Sequence, residues 1–114
     1  MTPVVFLYAT APDEATALRI GRAAVEAGLA ACLNILGPTT SLYRWNGAIE
    51  TAREVAFLLK TTADHADALR DLVLRLHPYE VPALAALEIG SRGSNPAFLD
   101  WIRAECGGPE SSNL

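Results

Sequence analysis

Lysine is almost missing from this chain: Lys60 is the only one in 114 residues, and nine basic side chains face thirteen acidic ones. With a net charge of −4 and scattered arginines, there is no clustered footprint for a phosphate backbone, which argues against a nucleic-acid binder. Charge of either sign is sparse, 19% of residues against 51% hydrophobic, with a mean hydropathy of +0.21. That is too apolar for a disordered chain, and so thin a charged surface suggests that a partner covers part of it. Long apolar runs are lacking too. Val4 to Ala11 is far too short to cross a bilayer and has no basic region before it, so a cytoplasmic protein without membrane contact is expected. Only two cysteines occur, with no paired-cysteine motif, which fits a reducing compartment. Cys32, in an apolar run, reads as a buried thiol, and Cys106 lies near the C-terminal tail. No Gly-x-Gly-x-x-Gly follows the first strand, Gly90 to Ser94 lacks the lysine of a Walker loop, and no nucleophile motif is present. An enzyme is not expected.

What is there is periodic. Val4 to Thr10 is apolar on both faces, as a covered central strand would be. A helix capped by Thr10 or Asp13 should run to about Ala27, with Leu18, Gly21, Val25 and Leu29 as its buried stripe and Gly28 ending it. Leu29 to Leu36 reads as a second strand, broken by Gly37-Pro38. Ser41 to Trp45 then leads into Asn46-Gly47, a strong hairpin signal, and a strand from Ile49 to Thr61 about 40 Å long follows. Asp64 to Leu76 is helical with Leu69, Leu72, Val73 and Leu76 inward, and His77-Pro78 ends it. Leu84 to Ile89 is a strand, and Pro96 to Glu105 a short helix carrying Phe98, Trp101 and Ile102. Residues 1–106 form one domain, and 107–114 have the composition of a flexible tail. The order predicts an α+β, ferredoxin-like βαββαβ sandwich with a long hairpin arm and a C-terminal helix. Two helices cannot cover both faces of such a sheet, and a second copy of the chain is the simplest cover.

Few residues carry candidate chemistry. Tyr43 and Trp45 flank the hairpin tip, where large rings mark an interface, a stacked ligand or local packing. Glu50 and Glu54 share a strand face roughly 13 Å apart, too far for a paired-carboxylate mechanism. Lys60 shares that face by parity, so Glu54 and Lys60 suit an inter-subunit ion pair or a ligand cleft. His65 reads as exposed surface. His77 sits at a helix end, where an imidazole caps the last carbonyls or ligates a metal; one chain offers no zinc-type cluster, so other ligands would come from separate segments or subunits.

Several separated strings resemble the CutA divalent-cation tolerance family: Thr10-Ala11-Pro12-Asp13, Leu29-Ala30-Ala31-Cys32, Ser41 to Gly47, Glu54 with Leu59-Lys60-Thr61, His77-Pro78-Tyr79-Glu80-Val81-Pro82, and Leu99 to Ile102. The resemblance covers about residues 4–104 and implies a homotrimer, similar in architecture to P-II signalling proteins, with clefts between subunits. It implies weak binding of Cu(II) or another divalent cation, with no cofactor required for folding. In it His77 is the candidate metal-contacting histidine, and Tyr43, Trp45, Glu54, Lys60 and Tyr79 line or brace the cleft; as a cleft carboxylate supplying oxygen, Glu54 is taken as the second metal candidate. Some members carry a cysteine where this chain has Ala9, and without that thiolate imidazole and carboxylate suit Cu(II) or zinc better than Cu(I). The alternative is a P-II-like signalling or interaction protein that holds a small anion between subunits, with Lys60 and Arg92 as counter-charges, or meets a protein partner.

Overall fold

The computed structural model describes residues 1–107; the expected tail therefore lies almost wholly outside the described residues. The elements are β1 (Val4–Ala11), α1 (Glu14–Glu26), β2 (Cys32–Trp45), β3 (Ala48–Thr62), α2 (Ala63–Leu76), β4 (Leu84–Ile89) and α3 (Pro96–Glu105). They form a four-stranded sheet ordered β2-β3-β1-β4, with every neighbouring pair antiparallel. This is the expected ferredoxin-like arrangement with an added helix.

Alternation along the strands divides the sheet into two faces. Val5, Leu7, Ala9 and Ala11 of β1, with Phe57 and Leu59 of β3, meet Ala17, Ile20 and Ala24 of α1 and Leu69, Leu72 and Val73 of α2 in the main core. Asp13 caps α1, its carboxylate accepting the Thr16 N–H at 2.7 Å. The buried stripe of α1 differs from the one expected. Leu18 and Val25 are about half exposed, and the buried positions are Thr16, Ala17, Ile20, Gly21 and Ala24. Small side chains let the helix axis approach the sheet closely, so they take the inner face while the two larger residues flank the contact. At Gly21 a Cβ would come within 2.3 Å of the Leu33 side chain.

Among the described residues, the opposite face is covered at one end only. There α3 lays Leu99 and Ile102 over Val4, with Phe6, Ile89 and Phe98 packed around them. Cys106 is buried in this cluster and Cys32 is only half-buried, the reverse of the expectation for Cys32. Cys32 stands on an edge strand, where only β3 covers it laterally; Cys106 is drawn in by the end of α3, and burial pushes its thiol up.

β2 is one strand instead of two. Gly37-Pro38 marks a bulge: the register steps from Ile35↔Phe57 to Gly37↔Ala56, leaving Leu36 as the extra residue. Proline is tolerated because β2 is an edge strand, and Gly37 takes φ +114°, a conformation that L side chains rarely adopt. The bulge also exchanges the two faces. Cys32 and Asn34 oppose even-numbered residues of β3, whereas beyond the bulge Thr39, Ser41, Tyr43 and Trp45 do so. Past Ala11↔Val55, β2 and β3 pair only with each other, from Thr39↔Glu54 to Trp45↔Ala48, an arm roughly 20 Å long. Asn46 and Gly47 close it with φ 50° and 81°, both positive as a two-residue hairpin turn requires.

Candidate functional site

The uncovered end of the helix-poor face holds a cleft of about 440 Å³. Thr10, the last outward-facing residue of β1, stands at its base. Glu50 and Glu54 enter from β3, Tyr43 and Trp45 from β2, and the segment between α2 and β4 closes the side with Tyr79, Glu80, Val81 and Ala83. The aromatic pair reaches this cleft through the bulge, since unbroken alternation from Cys32 would turn both rings to the other face.

A short chain of hydrogen bonds fixes the base. The Thr10 hydroxyl donates to Glu54 Oε2 at 3.2 Å, and the Thr10 carbonyl accepts from His77 Nε2 at 2.7 Å. His77 Nδ1 in turn accepts the Tyr79 N–H at 3.1 Å, which assigns the ring proton to Nε2. His77 is 7% exposed, and its ring packs against that of Tyr79 with centroids 4.8 Å apart. Burial and then the neighbouring Glu54 carboxylate push the Tyr79 phenol above the ordinary tyrosine range.

The candidate residues from the sequence separate into two groups. Tyr43, Trp45, Glu54 and Tyr79 meet in the cleft, and His77 lies directly behind it. In this arrangement His77 braces two backbone groups, and a metal ion at Nδ1 would have to displace the Tyr79 N–H. Lys60 is not in the cleft. It shares the face of Glu54 but lies six residues further along β3, roughly 20 Å away, with its ammonium 5.1 Å from the Phe98 ring and 5.5 Å from that of Phe6. Arg92 follows β4, whose end pairs with Val4 at the far end of β1, so it too lies away from the cleft. Within one chain, neither counter-charge of the anion reading reaches this site, and Glu54 and Lys60 form no ion pair with each other. His65 is half-buried instead of exposed, bonded through Nδ1 to the Thr62 hydroxyl at 2.8 Å.

Thr10, Glu80, Val81 and Ala83 were not legible as cleft residues. Thr10 read only as a possible helix cap, although it is the polar end of an apolar strand and its parity places it outward. The lining contains three glutamates and no lysine or arginine. Among the described residues no three His, Cys, Asp or Glu side chains come together closely enough to hold a metal ion. None of the described helices is long and apolar enough to cross a membrane.

The sequence matches the family model described as "CutA1 divalent ion tolerance protein" over residues 5–105. It is 43% identical over 98 residues to the divalent-cation tolerance protein CutA of Thermus thermophilus, covering 86% of this chain and 93% of that one. The human protein CutA is 43% identical over 96 residues, 84% of this chain and 52% of the human protein, so the chain spans about half the length of that relative. Among solved structures, CutA from Xylella fastidiosa superimposes with a TM-score of 0.86 at 38% identity, covering 91% of this chain and 98% of that chain.

Proposed function

The chain belongs to the CutA1 divalent ion tolerance family, which places it among tolerance proteins rather than enzymes, and from that premise we propose that it binds a divalent cation weakly between subunits of a cytoplasmic homotrimer. One observation carries this reading: Glu50, Glu54 and Glu80 line a single cleft that no cationic side chain of the described residues enters. Carboxylate oxygens attract divalent cations, and three of them in one concavity concentrate a negative potential. They do not converge tightly enough in one chain to strip an ion of its water. A hydrated ion, or one whose coordination a neighbouring copy completes, fits this spacing, and weak affinity follows. His77 contributes by holding the Thr10 carbonyl and the Tyr79 backbone in place, and it becomes a ligand itself only if it releases Tyr79.

A second copy is favoured by the arm. Leu42 is 71% and Ile49 59% exposed on the side facing away from the cleft. So much apolar surface on a projecting hairpin is costly to leave in water. Calorimetric titration of metal-stripped protein with Cu(II) and Zn(II), beside Glu54→Gln, tests the reading. Saturable binding that weakens at least about tenfold in the variant supports it, because one charged oxygen ligand has become a neutral amide. Flat traces with both metals overturn it.

A further inference from the structure

The cleft is large for an ion and walled for something else. A small-molecule pocket measures roughly 300–1,000 Å³, and this one, at about 440 Å³, lies in that range. A divalent ion with six waters, at about 30 Å³ each, would fill less than half of it. The walls are mostly ring and hydrocarbon. Tyr43 and Trp45 stand two residues apart on one strand face, Tyr79 faces them from the segment before β4, and Val81 and Ala83 continue the apolar side.

Aromatic faces and carboxylates together select charge and shape at once. The ring quadrupole presents negative potential to a cation above the face, and the glutamates add full charges around it. An anion would meet three carboxylates with no compensating base. A neutral apolar molecule would leave the carboxylates without a partner. A small, strongly hydrated metal ion gains little from the rings, since it must shed water to approach them. A cation whose charge is spread over alkyl groups uses both features.

We propose that the cleft binds an organic ammonium ion, its cationic head among Tyr43, Trp45 and Tyr79, with Glu54 and Glu50 as counter-charges and its apolar remainder against Val81 and Ala83. The proposal rests on the same negative cleft as the divalent-cation reading. The cage is partly built before any ligand arrives. Tyr79 is held by its backbone bond to His77 and by the ring contact behind it, and Glu54 is held by Thr10. Groups fixed in advance lose less entropy on binding.

The test uses the full chain and three probes in calorimetry: choline, benzyltrimethylammonium, and 3,3-dimethylbutan-1-ol, the neutral carbon counterpart of choline. Both ammonium ions should bind saturably, and the alcohol at least about tenfold more weakly. Trp45→Ala, at an exposed arm tip that the core does not depend on, and Glu54→Gln should each weaken ammonium binding by a similar factor. Trp101→Phe, outside the cleft, should leave it unchanged. Equal binding of choline and the alcohol overturns the proposal, as does binding that survives Trp45→Ala in protein with unchanged circular dichroism, or the absence of saturable binding by either ammonium ion. A Zn(II) titration of the same samples separates the two readings. Zinc binding without ammonium binding sinks the organic cation and leaves the metal. Ammonium binding without zinc binding does the reverse, and two flat titrations remove both.

Discussion

At the scale of single residues, the burial of His77 and the use of both its ring nitrogens make it the pivot of the site. Its Nε2 proton and Nδ1 lone pair serve two backbone groups that belong to different segments, the end of β1 and the turn after α2. His77→Ala removes two hydrogen bonds and leaves the Thr10 carbonyl and the Tyr79 N–H to find water, which should cost about 2–3 kcal/mol in urea unfolding. If the imidazole instead served only as a surface ligand, stability would hardly change and only metal binding would fall. Tyr79 offers a spectroscopic check. Because burial and the Glu54 carboxylate both disfavour the phenolate, Tyr79 should ionise above the ordinary range when absorbance near 295 nm is followed in alkali, and Glu54→Gln should bring it part of the way back. The sign for stability follows: a raised folded value favours the neutral phenol, so its contribution is full below the unfolded tyrosine value and is lost as pH climbs through the folded one. A Tyr79 that ionises in the ordinary tyrosine range would show that neither burial nor the carboxylate acts on it, and a raised value unchanged in Glu54→Gln would show that the carboxylate does not.

At the scale of elements, β2 shows both what pattern reading reaches and where it stops. Composition named Gly37-Pro38 as an interruption, and an interruption is there, but glycine and proline look alike whether a strand ends or bulges. Which occurs depends on whether β3 continues beside it, and that is a long-range fact. The face carrying Tyr43 and Trp45 depends on the same step, so the aromatic residues could be named from the sequence while the cleft they complete could not. Helix α1 teaches the same point: its three-four spacing was visible, yet two stripes about 100° apart competed, and packing against the sheet chose the one with alanines over the one with Leu18 and Val25. Lys60 had the correct parity and the wrong end of the strand, because alternation fixes a side but not a position along it. The bulge itself can be tested. A Cβ at Gly37 would touch nothing within 4 Å, so the cost of Gly37→Ala is that of the backbone alone at φ +114°. It should destabilise by about 1–3 kcal/mol in denaturant unfolding. No loss of stability would mean that β2 can run through this point without the left-handed residue.

At the scale of the whole molecule, the question is what the projecting arm leans on. The chain measures 51 × 29 × 21 Å, and much of the long dimension is a two-stranded ribbon, which is marginal in water without further packing. Among the described residues both outer strands of the sheet, β2 and β4, also leave a free edge, a liability that a natural protein covers or blunts. Association of copies through arms and edges answers both problems, and the trimer proposed above has a thermodynamic signature. Subunits that associate only when folded draw stability from mass action, so the thermal midpoint should rise with protein concentration, as it would not for a folded monomer. Ile49→Asp places a charge on the exposed apolar side of the arm, away from the cleft. It should lower the mass in light scattering from three chains towards one and remove the concentration dependence. Ile49 contributes nothing to the core of a single chain, being 59% exposed, so a variant that unfolded outright would tie folding to assembly and strengthen the case. A variant that kept both its mass and its concentration dependence would exclude this side of the arm from the interface, and a wild-type chain that scatters as one copy at micromolar concentration would exclude the trimer itself.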